Sequence, residues 1–264
     1  PPWLKWSYQL VRPPMTLSTD SITTPGNGHG TAIESVLETL LADIMRGTYP
    51  PGARLPAERE LSKLLGASRP TLREALRRLG EWQLVEPRRG SGIVVRPLAD
   101  WSIEVLPAYL RYARPSPLMP TAGRLLLDLL ALRRVIIRDV AQLVTPRLTG
   151  GTGTVVARTQ VQRAWAARHQ PAHFVREDFL VMRAVVEAAG FLPAVWMLNR
   201  VAGVYVEIAA AVTNQVRVPD DYVESSFGYL DAIDSGDGDK AAELVNAYLE
   251  RHDAALTRAL EMIA

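Results

Sequence analysis

Residues 55–79 read LPAERELSKLLGASRPTLREALRRL, two short amphipathic stretches joined at Gly66. Leu61, Leu64 and Leu65 recur at helical spacing in the first stretch, and Leu72, Ala75, Leu76 and Leu79 do so in the second. Both therefore predict helices with one buried stripe. The face left free on the second helix carries Arg69, Thr71, Arg73 and Arg77, fixed cations and a hydroxyl of the kind that suits a DNA major groove. Ser68 stands where an N-cap belongs, and Pro70 falls in the first turn, where its missing N–H costs nothing. Gly66 supplies the residue that a tight reversal needs if its φ is positive.

Working outward, residues 32–45 place Ile33, Val36, Leu37, Leu40, Leu41, Ile44 and Met45 on one stripe, a supporting helix that ends at Gly47. Tyr49-Pro50-Pro51-Gly52 is a turn that proline restricts on both sides. After Leu79 the sequence QLVEPRRGSGIVVRP changes period: Leu84-Val85 and Ile93-Val94-Val95 are β-rich runs around a Gly-containing turn, which predicts a hairpin. Three helices followed by a hairpin with Arg88, Arg89 and Gly90 at its tip describe a winged helix-turn-helix. Such a wing lays cations and backbone amides along phosphates or into the minor groove.

The run LPAERELSKLLGASRPTLREALRRLGEWQLVEPRRGSGIVV closely resembles the DNA-binding domain of GntR-type bacterial transcription regulators, over roughly residues 31–97. By that resemblance, DNA contacts fall to Arg59, Ser68, Arg69, Thr71 and Arg73, and to Arg89 and Gly90 at the wing tip. Pro70 replaces a polar residue that some relatives use.

The chain of 264 residues has 48% hydrophobic content, enough for two ordinary domains. It has no cysteine, so disulfides and thiolate zinc sites are excluded, which fits a reducing cytoplasm. No apolar run approaches the ~20 residues that span a bilayer. The opening PPWLKWSYQLVRPP lacks the layout of a signal peptide, and with a Met first at Met15 it reads as vector-derived or as an upstream misassigned start. Residues 1–30 are expected to form a flexible tail or vector-derived segment. Between Arg59 and Arg96 there are nine Lys/Arg against four Asp/Glu, whereas residues 98–264 carry seventeen against nineteen. The anion-binding half is the N-terminal one.

Residues 98–264 show no strand alternation and instead predict seven helices, at about 101–113, 121–144, 154–169, 173–189, 193–212, 220–234 and 237–263. The expected architecture is thus mainly α: a winged helix-turn-helix with a small β-hairpin over residues 31–97, then an all-helical sensing and dimerisation bundle over residues 98–264. That bundle is similar to the FadR branch of the GntR regulators at Leu129-Leu130-Ala131-Leu132-Arg133, at Asp178 with Arg183, at Leu198-Asn199 with Gly203 and Tyr205, and in the segment ending at Tyr248. The resemblance implies a homodimer on a palindromic operator, controlled by a small metabolite and most commonly a repressor.

Most of the wider branch holds a divalent metal with an Asp, a His one turn later and two more His on the last two helices. Here the Asp is Asp178, but the three histidine positions carry Met182, Ser226 and Tyr248. A carboxylate with a thioether, a hydroxyl and a phenol is a poor donor set, and no metal or other cofactor is expected. The fatty-acid-responsive member also lacks those histidines, which points to an acyl-CoA or similar amphiphile; an organic-acid effector, or no ligand, are the alternatives. Arg133, whose planar guanidinium suits an anionic group, and Asp178, Met182, Tyr205, Ser226 and Tyr248 are the expected effector-binding residues. Adjacent Arg134 argues that one of the two arginines is solvated. The histidines His29, His169, His173 and His252 are scattered or expected on surfaces. An enzyme of the aminotransferase-fused type is excluded by length and by Lys240 being the sole lysine after Lys63.

Overall fold

The computed structural model describes residues 28–114, 116–117, 119–148, 153–213 and 217–261. Most of the expected tail lies outside these residues, and its last three residues begin the first helix instead. The order is α1 (Gly28–Met45), α2 (Glu58–Leu64), α3 (Arg69–Glu81), β1 (Val85–Arg88), β2 (Gly92–Val95), α4 (Leu106–Tyr112), α5 (Ala122–Val144), α6 (Val155–Ala166), α7 (Pro171–Ala188), α8 (Leu192–Thr213), α9 (Tyr222–Asp234) and α10 (Gly238–Glu261).

The helix-turn-helix closes as its sequence dictates. Gly66 holds φ +61 at the reversal, a conformation that costs a non-glycine residue roughly 1–2 kcal/mol. Ser68 caps α3, its hydroxyl accepting from the Thr71 N–H at 3.3 Å, and Pro70 sits in the first turn. Leu61, Leu72, Ala75 and Leu79 are buried against Leu40, Ile44 and Met45 of α1, each large side chain contributing about 1.5–3 kcal/mol by leaving water. Leu64 does not join them: it is 71% exposed. The buried stripe of α2 passes through Leu61 and Ser62 instead, which rotates position 64 outward. β1 and β2 pair antiparallel from Val85↔Val95 to Arg88↔Gly92, and an isolated Arg54↔Val94 bridge brings a third segment to β2 at the wing base.

The N-terminal core runs beyond residue 97, where the sequence placed its end. Val105, Ala108, Tyr109 and Met119 belong to the same cluster as α1 and α3, and the Tyr109 hydroxyl donates to the Pro120 carbonyl at 2.6 Å. The first expected bundle helix, 101–113, is realised as short turns plus α4 and packs on α1 as well as α8. Apolar residues at 101, 105 and 109 have the same period whichever core receives them.

In the bundle α7 lies between α6 and α8, while α10 packs along α5 and α9. Val144, Val161, Phe174, Val185, Tyr222 and Leu230 form its interior. The two halves are tied by charged side chains. Arg111 on α4 donates to Glu38 of α1 at 2.7 Å and to Glu207 of α8 at 2.8 Å, and Arg200 of α8 pairs with Glu104.

Candidate nucleic-acid interface and effector chamber

The basic residues of the winged half sort by what already holds them. Arg77 is fully engaged: its Nε donates to Glu74 at 2.9 Å, one terminal nitrogen to the same carboxylate at 2.6 Å, and the other to Glu81. Arg78 pairs with Glu34, Arg88 with Glu86, and Arg96 with Asp100. Arg73 makes one contact, from Nε to Glu58 Oε2 at 2.8 Å, leaving both terminal nitrogens uncommitted. Among the described residues Arg54, Arg59, Lys63, Arg69 and Arg89 are exposed and have no acidic partner. The net charge of the segment understated this sorting, because neutralised and free cations count alike in a sequence.

Arg69 opens α3 and Arg73 follows one turn later, so the free and the singly held guanidinium project from one face. Arg59 lies on α2, and Arg89 and Gly90 lie in the hairpin turn between the paired ends Arg88 and Gly92. Gly90 has φ +77 with nothing near its would-be Cβ, so its backbone can approach a polyanion closely. Two of the expected contacts also serve the helix start. Thr71 is 5% exposed, and its hydroxyl is 2.7 Å from that of Ser68. The capping exchange that starts the helix uses both hydroxyls, with Thr71 buried and Ser68 exposed.

In the bundle, Arg133, Asp178, Tyr205, Ser226 and Tyr248 of the expected effector residues come together in a buried polar cluster between α5, α7, α8, α9 and α10. Arg133 on α5 donates to Asp253 of α10 at 2.6 Å and makes a longer contact to the Tyr205 hydroxyl at 3.4 Å. Arg134 also reaches Asp253, at 3.6 Å. The two neighbouring arginines thus share one carboxylate, and neither is simply solvated. Asp178 on α7 accepts from the Tyr222 hydroxyl at 2.8 Å. Burial raises its pKa, against the lowering effects of Tyr222 and Arg133. Asp253, whose side chain is 3% exposed, is likewise raised by burial, opposed by Arg133 and Arg134. Ser226 is buried beside Tyr229, and Tyr248 meets Tyr222 edge-on at 6.3 Å.

His252, expected on a surface, stacks on Tyr248 at 6.1 Å. Burial, and then Arg133, push its pKa down to about 4. Together with Asp253 and Tyr222 it belongs to the buried cluster, and periodicity does not reveal it: a polar residue carries no sign of facing inward when its partner is far off in sequence. Arg133 Nε, His252 Nδ1 and Asp253 Oδ2 are buried without a hydrogen-bond partner among the described residues.

Met182 lies one step away, in an apolar groove of about 120 Å³ between α5, α7 and α8. Leu129, Leu132, Val201 and Tyr205 line it, Arg133 lies at its wall, and Ile103 from the connection to the winged half completes it. Among the described residues no group of three or more His, Cys, Asp or Glu is placed to hold a metal ion. Asp178, already bound to Tyr222, with Met182, Ser226 and Tyr248 around it, does not fit one.

Residues 32–95 match the family model described as bacterial regulatory proteins, gntR family. The chain is 32% identical to the HTH-type transcriptional regulator Mce2R of Mycobacterium tuberculosis over 86% of its own length and 92% of that protein. It is 28% identical to the fatty acid metabolism regulator protein of Erwinia tasmaniensis over 65% of its length and 68% of that protein. The solved structure of Lar from Listeria monocytogenes shares the fold, with a TM-score of 0.57 at 15% identity over 90% of this chain and 99% of that one.

Proposed function

Since the chain belongs to the gntR family of bacterial regulatory proteins, and is thereby a DNA-binding transcription regulator and not an enzyme, we propose that Arg69 and Arg73 read base edges in the major groove while Arg59, Lys63 and Arg89 hold phosphates. The observation that carries this reading is the sorting of cations: of the exposed basic residues without a full set of acidic partners, Arg59 and Lys63 lie on α2, Arg69 and Arg73 on α3 and Arg89 on the wing, while Arg46, over the Tyr112 ring, and Arg54 lie outside these elements. Thr71 and Ser68 act by starting the helix and not by touching DNA. Residues 31–97 serve as the DNA-binding unit, buttressed by α4.

A homodimer on a palindromic operator follows from the two-fold logic of such readers. Large apolar side chains left exposed on α5 (Val135, Leu143) and α8 (Leu192, Trp196) support self-association. No described helix is long and apolar enough to cross a membrane, and the reading puts the protein in the cytoplasm, with its DNA. The test is fluorescence anisotropy with duplexes selected from a random library by the full chain. Binding is expected to weaken linearly in log–log form with salt, with a slope of about −0.9 for each phosphate neutralised. A slope near zero would remove phosphate contact from the reading.

For the bundle, the reading is an amphiphilic effector, an acyl-CoA in the first instance, with its chain along the apolar groove, and relief of repression as the outcome. Arg133 favours this over an organic acid, because Asp253 already occupies the guanidinium that an acid would need. The effector acts on operator affinity only as far as it prefers one arrangement of the two halves. Ile103 at the groove and the Arg111 bridge supply a path between them. Thermal-shift measurements with acyl-CoAs, short organic acids and divalent metals discriminate: stabilisation by acyl-CoAs supports the amphiphile, and stabilisation by metals alone overturns it.

A further inference from the structure

We propose that Glu58 is a positioning residue for sequence readout: it holds Arg73 by Nε so that the two terminal nitrogens of the guanidinium face the groove as a preformed fork. This rests on the reading above, in which Arg73 touches bases, and adds a residue that no resemblance assigned to DNA recognition.

The α3 face offers its own comparison. Arg69 has no acidic partner, Arg77 has all three nitrogens bound by Glu74 and Glu81, and Arg73 is held at one nitrogen only, by a carboxylate from the neighbouring helix. Bidentate recognition of guanine O6 and N7 needs two adjacent donors in one plane. An arginine held at Nε keeps such a pair at its end; one held at three nitrogens does not.

Glu58 is the first residue of α2, so its backbone is fixed by the same packing that fixes α3. The pair is too exposed to matter much for stability, with side chains 69% and 38% accessible. Its consequence is conformational: the contact biases a flexible side chain toward one orientation before DNA arrives, and part of the ordering cost is removed from binding. Glu58 also places a negative charge near the phosphates, which disfavours binding that lacks the base contact.

Two opposite effects therefore follow from one substitution. In Glu58→Ala, affinity for the selected duplex is expected to fall and affinity for a shuffled duplex of equal length to hold or rise, so that their ratio drops about tenfold. Glu58→Gln, which keeps an acceptor for Nε, is expected to retain most of the ratio. Glu58→Ala added to Arg73→Ala is expected to change the ratio no further, since the group being positioned is gone. Anisotropy at fixed salt reads all of these, with circular dichroism confirming the fold of each variant. A Glu58→Ala ratio equal to wild type, while Arg73→Ala loses it, overturns the proposal and leaves the base contact standing. Equal weakening on both duplexes also overturns it, since that is the mark of a merely structural residue. If Arg73→Ala itself keeps the ratio, the base contact fails and this inference fails with it.

Discussion

Arg69→Ala combined with Arg73→Ala is expected to reduce discrimination between a selected and a shuffled duplex by roughly two orders of magnitude, since each bidentate guanine contact supplies about 1–3 kcal/mol. General affinity for DNA is expected to survive in large part. Arg59, Lys63 and Arg89 remain, with Arg54 at the wing base, and all four are exposed without an acidic partner among the described residues. The salt slope should accordingly change little, because phosphate contacts and not base contacts set it. Anisotropy on the two duplexes, each at several salt concentrations, separates these terms. An unchanged ratio would mean that bases are read elsewhere. Both positions are exposed, and the helix keeps Ser68, Leu72 and Leu76, so loss of fold is not expected to imitate the effect.

The second large effect is expected in the bundle. Asp253→Ala leaves the Arg133 guanidinium, 16% exposed, with only the long contact to Tyr205. Breaking a buried pair on one side costs about 3–5 kcal/mol, because a charge stays behind without compensation. For a domain of this size that is a fall of roughly 10 °C in melting temperature, measurable by circular dichroism at neutral pH. Removing both partners together, as Arg133→Met with Asp253→Leu, is expected to recover much of the loss, since neither charge then needs solvation. A single variant that melts within about 2 °C of wild type would show that Arg133 reaches water once Asp253 is gone.

Much of the winged half was readable because its signals are local. Ser68 followed by Pro70, a glycine at the reversal, and β-rich runs flanking Gly90 and Gly92 each specify backbone within a few residues, and each took the expected conformation. The exceptions have physical causes. Leu64 satisfies the helical spacing, but α2 is only seven residues long, too short for the period to fix which face turns inward. The same helical wheel puts Thr71 among the arginines, and it takes no account of a hydroxyl drawn to the cap at Ser68.

The bundle was readable in its helices and less so in its buried polar cluster. Arg133, Asp178, Tyr205, Ser226 and Tyr248 do gather, yet Asp253 and His252 were missed. Their inward direction depends on α10 lying along α5, and contacts across 120 positions of sequence leave no mark on the local pattern. The junction at residues 98–119 is less legible for a related reason. Its apolar residues fit either core, and only the packing of α4 on α1 shows which one they fill.

The most direct measurement is methylation interference on the selected duplex. Modification at guanine N7 obstructs the major-groove acceptor that Arg69 and Arg73 would use. Interference is expected at individual guanines in each half-site, and at one of them it should vanish when Arg69 is replaced by alanine. If every guanine N7 can be methylated without loss of binding while adenine N3 in the minor groove cannot, α3 does not read the duplex.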